Sequence, residues 1–417
     1  MNIIAESSDV GAAAAAKATD LAQVKPAASR EFLLIRRCIA RSSTPVQREA
    51  IASLAQAVDP DRVLAIAVRH GVTGLVAQAL SDAGVAVPPP IAAVARKRGF
   101  AALRQAQTAL ALQDALHRAG VASIELKGST LARKFYGTIG ARESVDIDLV
   151  VAPGDVARGW QVLEAMGFDR VTPHHPREGA VPPLYRWAAK DSIHRHRDSG
   201  VVVELHWRLS DDLERPELPP RATWQAVEID DGRALMTLGD DDLFVYLCTH
   251  GAAHGWARLK WLADIGAMLA AAPDDGARYW RLAQGAGSAR AAASALLLAH
   301  QLLGTPLPPG FACCSRRVAL LNRMAIRIIT AGGGTRELAT TRYRGWAEFA
   351  AKLLIAPRIG NAAAIVRRLL VSGEDVGLLA LPRGLVFVYP LLRLPLLIAR
   401  RVRRARLSAT RSRLRSS

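Results

Sequence analysis

The chain has 417 residues, 50% of them hydrophobic, and a net charge of +18. That length holds a sizeable core and two or three domains. Counted by segment, the charge is +5 over residues 1–120, −4 over 121–240, +7 over 241–360 and +10 over 361–417. The basic excess therefore avoids the one acid-rich segment. This argues against an enzyme that tracks a nucleic acid, which would surround its catalytic strands with Lys and Arg.

Four cysteines, Cys38, Cys248, Cys313 and Cys314, show no metal-ligand spacing, and a reducing, cytoplasmic compartment fits them. Residues 1–30 have no basic start and no long apolar run, so they read as a disordered leader rather than a secretory signal. From 31 to 120 apolar residues recur at three- and four-residue spacing, which predicts a helical region. Pro88-Pro89-Pro90 marks a break between two of its helices. His70 reads as a helix-end or packing residue.

The character changes over 121–239. Ile124–Leu126 reads as a strand, and Gly128-Ser129 as the start of a helix through Tyr136, with Ser129 suited to N-capping. A glycine before a helix N-terminus also allows close approach of a phosphate to free amides. A second strand carries Asp146 and Asp148 on one face, with Ile147, Leu149 and Val151 directed into a core. Paired carboxylates repel unless a cation lies between them, and Mg²⁺ prefers such oxygen ligands beside substrate phosphates. Asp155 to Gly167 reads as an amphipathic helix, and VTPHHPREGAVPPLYRW as a loop. A third strand, Val201–Trp207, puts Glu204 and His206 on one face and Val203, Leu205 and Trp207 on the other. Glu204 is the third acid that the aspartates invite. His206 is open between orienting a ligand, contacting phosphate and packing.

Lys127-Gly128-Ser129, Asp146-Ile147-Asp148 and Glu204 in a third strand resemble the nucleotidyltransferase fold of polymerase-beta-like enzymes. More narrowly, LKGSTLARKFYG, Arg142 before DIDLVV, VELHW and HGAAHGWARLKWLADI resemble a bacterial family of uncharacterised nucleotidyltransferases, over Glu31 to Leu303. The resemblance implies an α+β fold: a small mixed β-sheet core flanked by N- and C-terminal helical regions. It implies two Mg²⁺ ions held by Asp146, Asp148 and Glu204, and an NTP donor, ATP, whose triphosphate Gly128 and Ser129 position. Two features depart from the superfamily pattern: Lys127 stands before Gly-Ser, and sixteen residues separate Ser129 from Asp146. Lys127 and Arg142 either engage phosphate oxygens or neutralise the acids.

Residues 240–370 are helical again, opening with acids suited to a helix start. His250 and His254 share a face if the helix runs through, although Gly251 and Gly255 interrupt it. The resemblance puts His250, His254, Lys260 and Asp264 near the nucleotide or acceptor; capping and packing are the alternative. In 371–417, the apolar run Gly377–Ile398 is interrupted by Pro382, Arg383, Pro390, Arg393 and Pro395. A span needs about 20 apolar residues, and a central Arg costs about 2.5–3.5 kcal/mol. An interfacial segment beside a polybasic tail would contact an anionic membrane peripherally. The alternative is a helix docked on the protein's own body.

The expected function is transfer of a nucleoside monophosphate, AMP, to a hydroxyl of a small molecule or protein. Two alternatives stand beside it: a catalytically inactive binding module of the same fold, and a nucleic-acid terminal nucleotidyltransferase.

Overall fold

A computed structural model describes residues 29–40, 44–173, 183–210, 218–338 and 344–371, with isolated positions between 375 and 392. The leader, the centre of the His/Pro-rich stretch and nearly all of the apolar segment and basic tail lie outside the described residues.

Among the described residues five helices precede the sheet: α1 Arg30–Ile39, α2 Pro45–Ala55, α3 Pro60–His70, α4 Thr73–Asp82 and α5 Pro89–Arg118. The first three start on side-chain caps: Ser29, Thr44 and Asp59 accept from the amides of Phe32, Gln47 and Asp61. The pattern from Asp61 to Leu80, continuous in apolar spacing, is two helices rather than one. Gly71 takes φ 67°, and its amide caps the Ala67 and Val68 carbonyls, ending α3.

Seven strands follow among the described residues, instead of the three expected. They are β1 Ser123–Glu125, β2 Ile147–Val151, β3 Phe168–Thr172, β4 Asp191–His196, β5 Val202–His206, β6 Trp224–Asp230 and β7 Arg233–Leu238. Their order is β3-β4-β5-β2-β1-β7-β6. The β2–β5 and β1–β7 pairs are parallel and the others antiparallel. Helix α6, Ser129–Tyr136, leaves β1 directly; α7 Val156–Ala165 joins β2 to β3, and α8 Pro183–Ala188 precedes β4. The stretch expected to be all loop thus supplies the end of β3 and all but the last residue of α8.

Alternation in β2 divides two cores. Ile147, Leu149 and Val151 pack with Val203, Leu205 and Trp207 of the β5 segment, with α7 and with the second half of α5. Val150 packs with Ile124, Leu126 and the large helical core on the other side. That core joins α1–α4 to α9 Asp240–Ala253, α10 Leu259–Ala271, α11 Gly276–Gly285, α12 Ala289–Leu303 and α13 Arg316–Thr330. Helices α14 Arg344–Ile355 and α15 Ile359–Leu370 follow. No helix of the described residues is long and apolar enough to cross a membrane.

Candidate active site

The parallel β2–β5 pairing sets Ile147 opposite Val203 and Asp148 opposite Glu204. Both acids therefore stand on the face opposite the Ile147, Leu149 and Val151 core, at the centre of the sheet. His206 lies two residues beyond Glu204, on the same face. Asp146 is the residue before β2 begins, rather than a member of the strand. The three carboxylates are graded in depth: Asp148 is fully buried, while the side chains of Asp146 and Glu204 are 27% and 25% exposed. They line a floor and a rim.

Two cations hold them. The Lys127 ammonium donates to Asp148 Oδ2 and lies 3.6 Å from Asp146 Oδ1. Burial opposes its charge, but Asp148 and Asp146 outweigh burial and hold it above the usual lysine range. His206 Nε2 lies 3.2 Å from Asp148 Oδ1 and 3.3 Å from Glu204 Oε2. Burial and Lys190 disfavour the imidazolium; its bonds to the two acids prevail and raise it to about 9. Asp148 is held well below the carboxylate range: burial raises it, and Lys127 and His206 overcome burial. Asp146 is raised, first by burial and then by Asp148 and Glu204, against Lys127.

Asp148, Glu204 and His206 offer ligand atoms within 4.8 Å of one another, the one such trio among the described residues. The donor set fits a hard divalent cation: two facing carboxylates, a third at the rim, and positive charge already required between them. Lys127 and His206 carry that charge in this structure.

The turn before α6 differs from expectation. Ser129 is the first helical residue, not the N-cap, and the cap is Gly128, at φ 102°. Glu125 accepts from the Ser129 amide at 3.3 Å and from the Thr130 amide at 2.8 Å. Its carboxylate fills the anion cradle that the Gly-Ser turn offers. Burial raises Glu125 to about 7, against those two amides. Sequence reasoning missed Glu125, although an acid flanked by Ile124 and Leu126 carries the same signal that singled out Glu204.

Arg142 and Asp264 are brought to each other. Nε and Nη2 of Arg142 donate to the two Asp264 oxygens at 2.8 and 2.7 Å, and the Tyr136 hydroxyl donates to Oδ1 at 3.0 Å. Both side chains of the ion pair are 1% exposed. The Lys260 ammonium lies 3.3 Å from the Glu143 carbonyl, and burial, Arg142 and Lys127 lower it to about 8.

His250 lies in the last turn of α9, and His254 is the cap beyond Ala253. Their ring centroids are 4.8 Å apart, both against Trp261, and His254 Nδ1 is 3.6 Å from Glu348 Oε1. Neither belongs to the trio Asp148, Glu204 and His206. Tyr246, one turn earlier in α9, is also missed by sequence reasoning. Buried in the helix, it is raised to about 12, first by burial and then by Asp148 and Glu204, against Lys127 and Lys190.

No match is found among curated proteins or among solved structures. Residues 56–304, which run from the N-terminal helices through the whole sheet to α12, match a family described as "Uncharacterised nucleotidyltransferase". With that match covering more than half its length, the chain belongs to this nucleotidyltransferase family.

Proposed function

We propose that the protein transfers a nucleoside monophosphate, AMP, from ATP to a hydroxyl group in the presence of Mg²⁺. The observation that carries this reading is the register Asp148↔Glu204 on β2 and β5, with Asp146 at the same opening. Asp146, Asp148 and Glu204 are the proposed ligands. Bound Mg²⁺ supplies Lewis-acid charge to the α-phosphoryl group and the departing pyrophosphate.

The chain's own groups do the rest. Asp148, clamped by Lys127 and His206, is fixed in one orientation and ionised, so the floor is preorganised. Lys127 and Lys260 add positive charge for the phosphates, Gly128 and Ser129 form the lip beside them, and Arg142 lends long-range charge while braced on Asp264. Glu204, a quarter exposed at the rim, takes the proton of the incoming hydroxyl. The loose phosphoryl transition state asks mainly for such positioning and charge.

One observation favours a second reading, a catalytically quiet module. Lys127 already neutralises the aspartates and Glu125 already fills the α6 amides. Incubation with labelled ATP, Mg²⁺ and either cell extract or RNA separates the readings. Label on a non-nucleic-acid acceptor supports the transferase, label on RNA a terminal nucleotidyltransferase, and no label the quiet module.

A further inference from the structure

Helix α5 turns one face to solvent. Ala102, Ala106 and Ala109 bury the other face, so the three- and four-residue steps from Arg96 through Phe100 and Leu103 to Gln107 run along the outside. Phe100 is 72% exposed and Leu103 47%. Arg96 and Lys97 stand one turn before Phe100, and Arg104 follows Leu103; all three are exposed. Among the described residues no carboxylate pairs with any of these three cations, whereas Arg98 reaches Glu143 at 3.7 Å. The sequence itself carries no acid between Asp82 and Asp114.

An apolar pair ringed by cations complements a helix whose own apolar strip is flanked by acids. A single-stranded nucleic acid fits less well. It stacks its bases on aromatic rings, and Leu103 offers no such ring. It is also charged along its whole length, and the neighbouring surface is acidic. Gly99 packs on Gly140, and from there the chain runs through Glu143 and the exposed Val145 to Asp146, which with Glu204 remains partly exposed. A bilayer interface calls for a broad apolar face, and two residues make a narrow one.

We propose that the outer face of α5 is a docking surface for a protein partner, and that the partner presents an acidic amphipathic helix. The apolar side chains of that helix cover Phe100 and Leu103, and its carboxylates meet Arg96, Lys97 and Arg104. One helix face on another buries little area, so the contact is transient, and its charge pairs weaken as salt rises. The surface stands independently of the transferase reading.

Fluorescence anisotropy on the full chain tests the surface with two labelled helical peptides. In one, leucines at three- and four-residue spacing are flanked by glutamates; in the other, the same residues are permuted so that no apolar strip forms. The peptides carry equal charge, so attraction to the basic C-terminus cancels between them. The striped peptide is expected to bind at least tenfold more tightly than the permuted one. The double variants Phe100→Gln with Leu103→Gln, and Arg96→Glu with Lys97→Glu, are each expected to weaken it tenfold or more. All four positions are exposed, and circular dichroism checks that the fold is kept. Equal binding of the two peptides, unchanged binding in either double variant, or no saturable binding below millimolar concentration overturns the proposal. So does tighter binding of an oligouridylate, or of phosphatidylserine vesicles, that is lost in the same variants.

Discussion

Asp148 and Glu204 face each other across the parallel β2–β5 pair, and Nε2 of His206 reaches both, at 3.2 and 3.3 Å. Asp148 is the only one of the three acids that is also clamped by Lys127 at full burial. Replacing it by Asn keeps the shape and removes the charge that defines the floor. Asp148→Asn is expected to lower Mg²⁺-dependent transfer by roughly 100-fold or more. Labelled-ATP transfer assays on protein whose circular dichroism is unchanged check this. Full activity in that variant would exclude the acid cluster as the site.

Sequence leaves Arg142 open between phosphate and the acids, and Asp264 between the nucleotide or acceptor and packing; the structure shows them bonded to each other beneath the surface. Removing one partner leaves the other as an uncompensated buried charge. Asp264→Asn is expected to cost about 3–5 kcal/mol in a urea denaturation experiment. A variant of unchanged stability that loses MgATP binding would instead place Asp264 in the substrate site.

The three strands that carry the acids were legible because their apolar residues alternate cleanly with acids, as in VVELH and IDLVV. The other four strands were not. FDRVT and DSIHRH are mostly polar, so their apolar period is lost, even though Ser192 and His194 of the second are buried. WQAVEID and RALMTL did carry a hairpin signal, the Asp231-Gly232 turn, where both residues take positive φ. The pairing of Arg142 with Asp264, 122 residues apart, and the filling of the α6 cradle by Glu125 depend on tertiary approach. Neither spacing nor composition encodes them.

His194 gives stability a pH dependence of known sign. It is buried in β4, 3.0 Å from Ser192 Oγ, and burial, then Arg170, push it down to about 3. The unfolded chain takes up a proton near pH 6.5, while the folded chain resists until about pH 3. Its contribution is therefore complete above about pH 6.5 and is lost as pH falls through that window, at about 1.4 kcal/mol per unit. His194→Gln removes the titration. Urea midpoints measured for both proteins from neutral to mildly acid pH should converge as pH falls. Parallel curves would rule out a neutral buried imidazole at this position.

Gly251 and Trp256 make the last test, one in which a usual rule reverses sign. An exposed helical glycine changed to alanine normally gains about 0.5–1 kcal/mol. Here a Cβ on Gly251 would stand 2.1 Å from Cζ3 of Trp256 and within 2.6 Å of two further ring carbons. The indole cannot swing away. It is fully buried, its Nε1 donates to Ser294 Oγ at 2.9 Å, and its backbone is held at φ 51°. Gly251→Ala is expected to destabilise by about 1–3 kcal/mol. Because the conflict is with the ring itself, Trp256→Phe and Gly251→Ala together should cost less than the sum of the two alone. Denaturation of the two single variants and the double variant measures that coupling. Strict additivity would mean that the end of α9 yields instead of the ring.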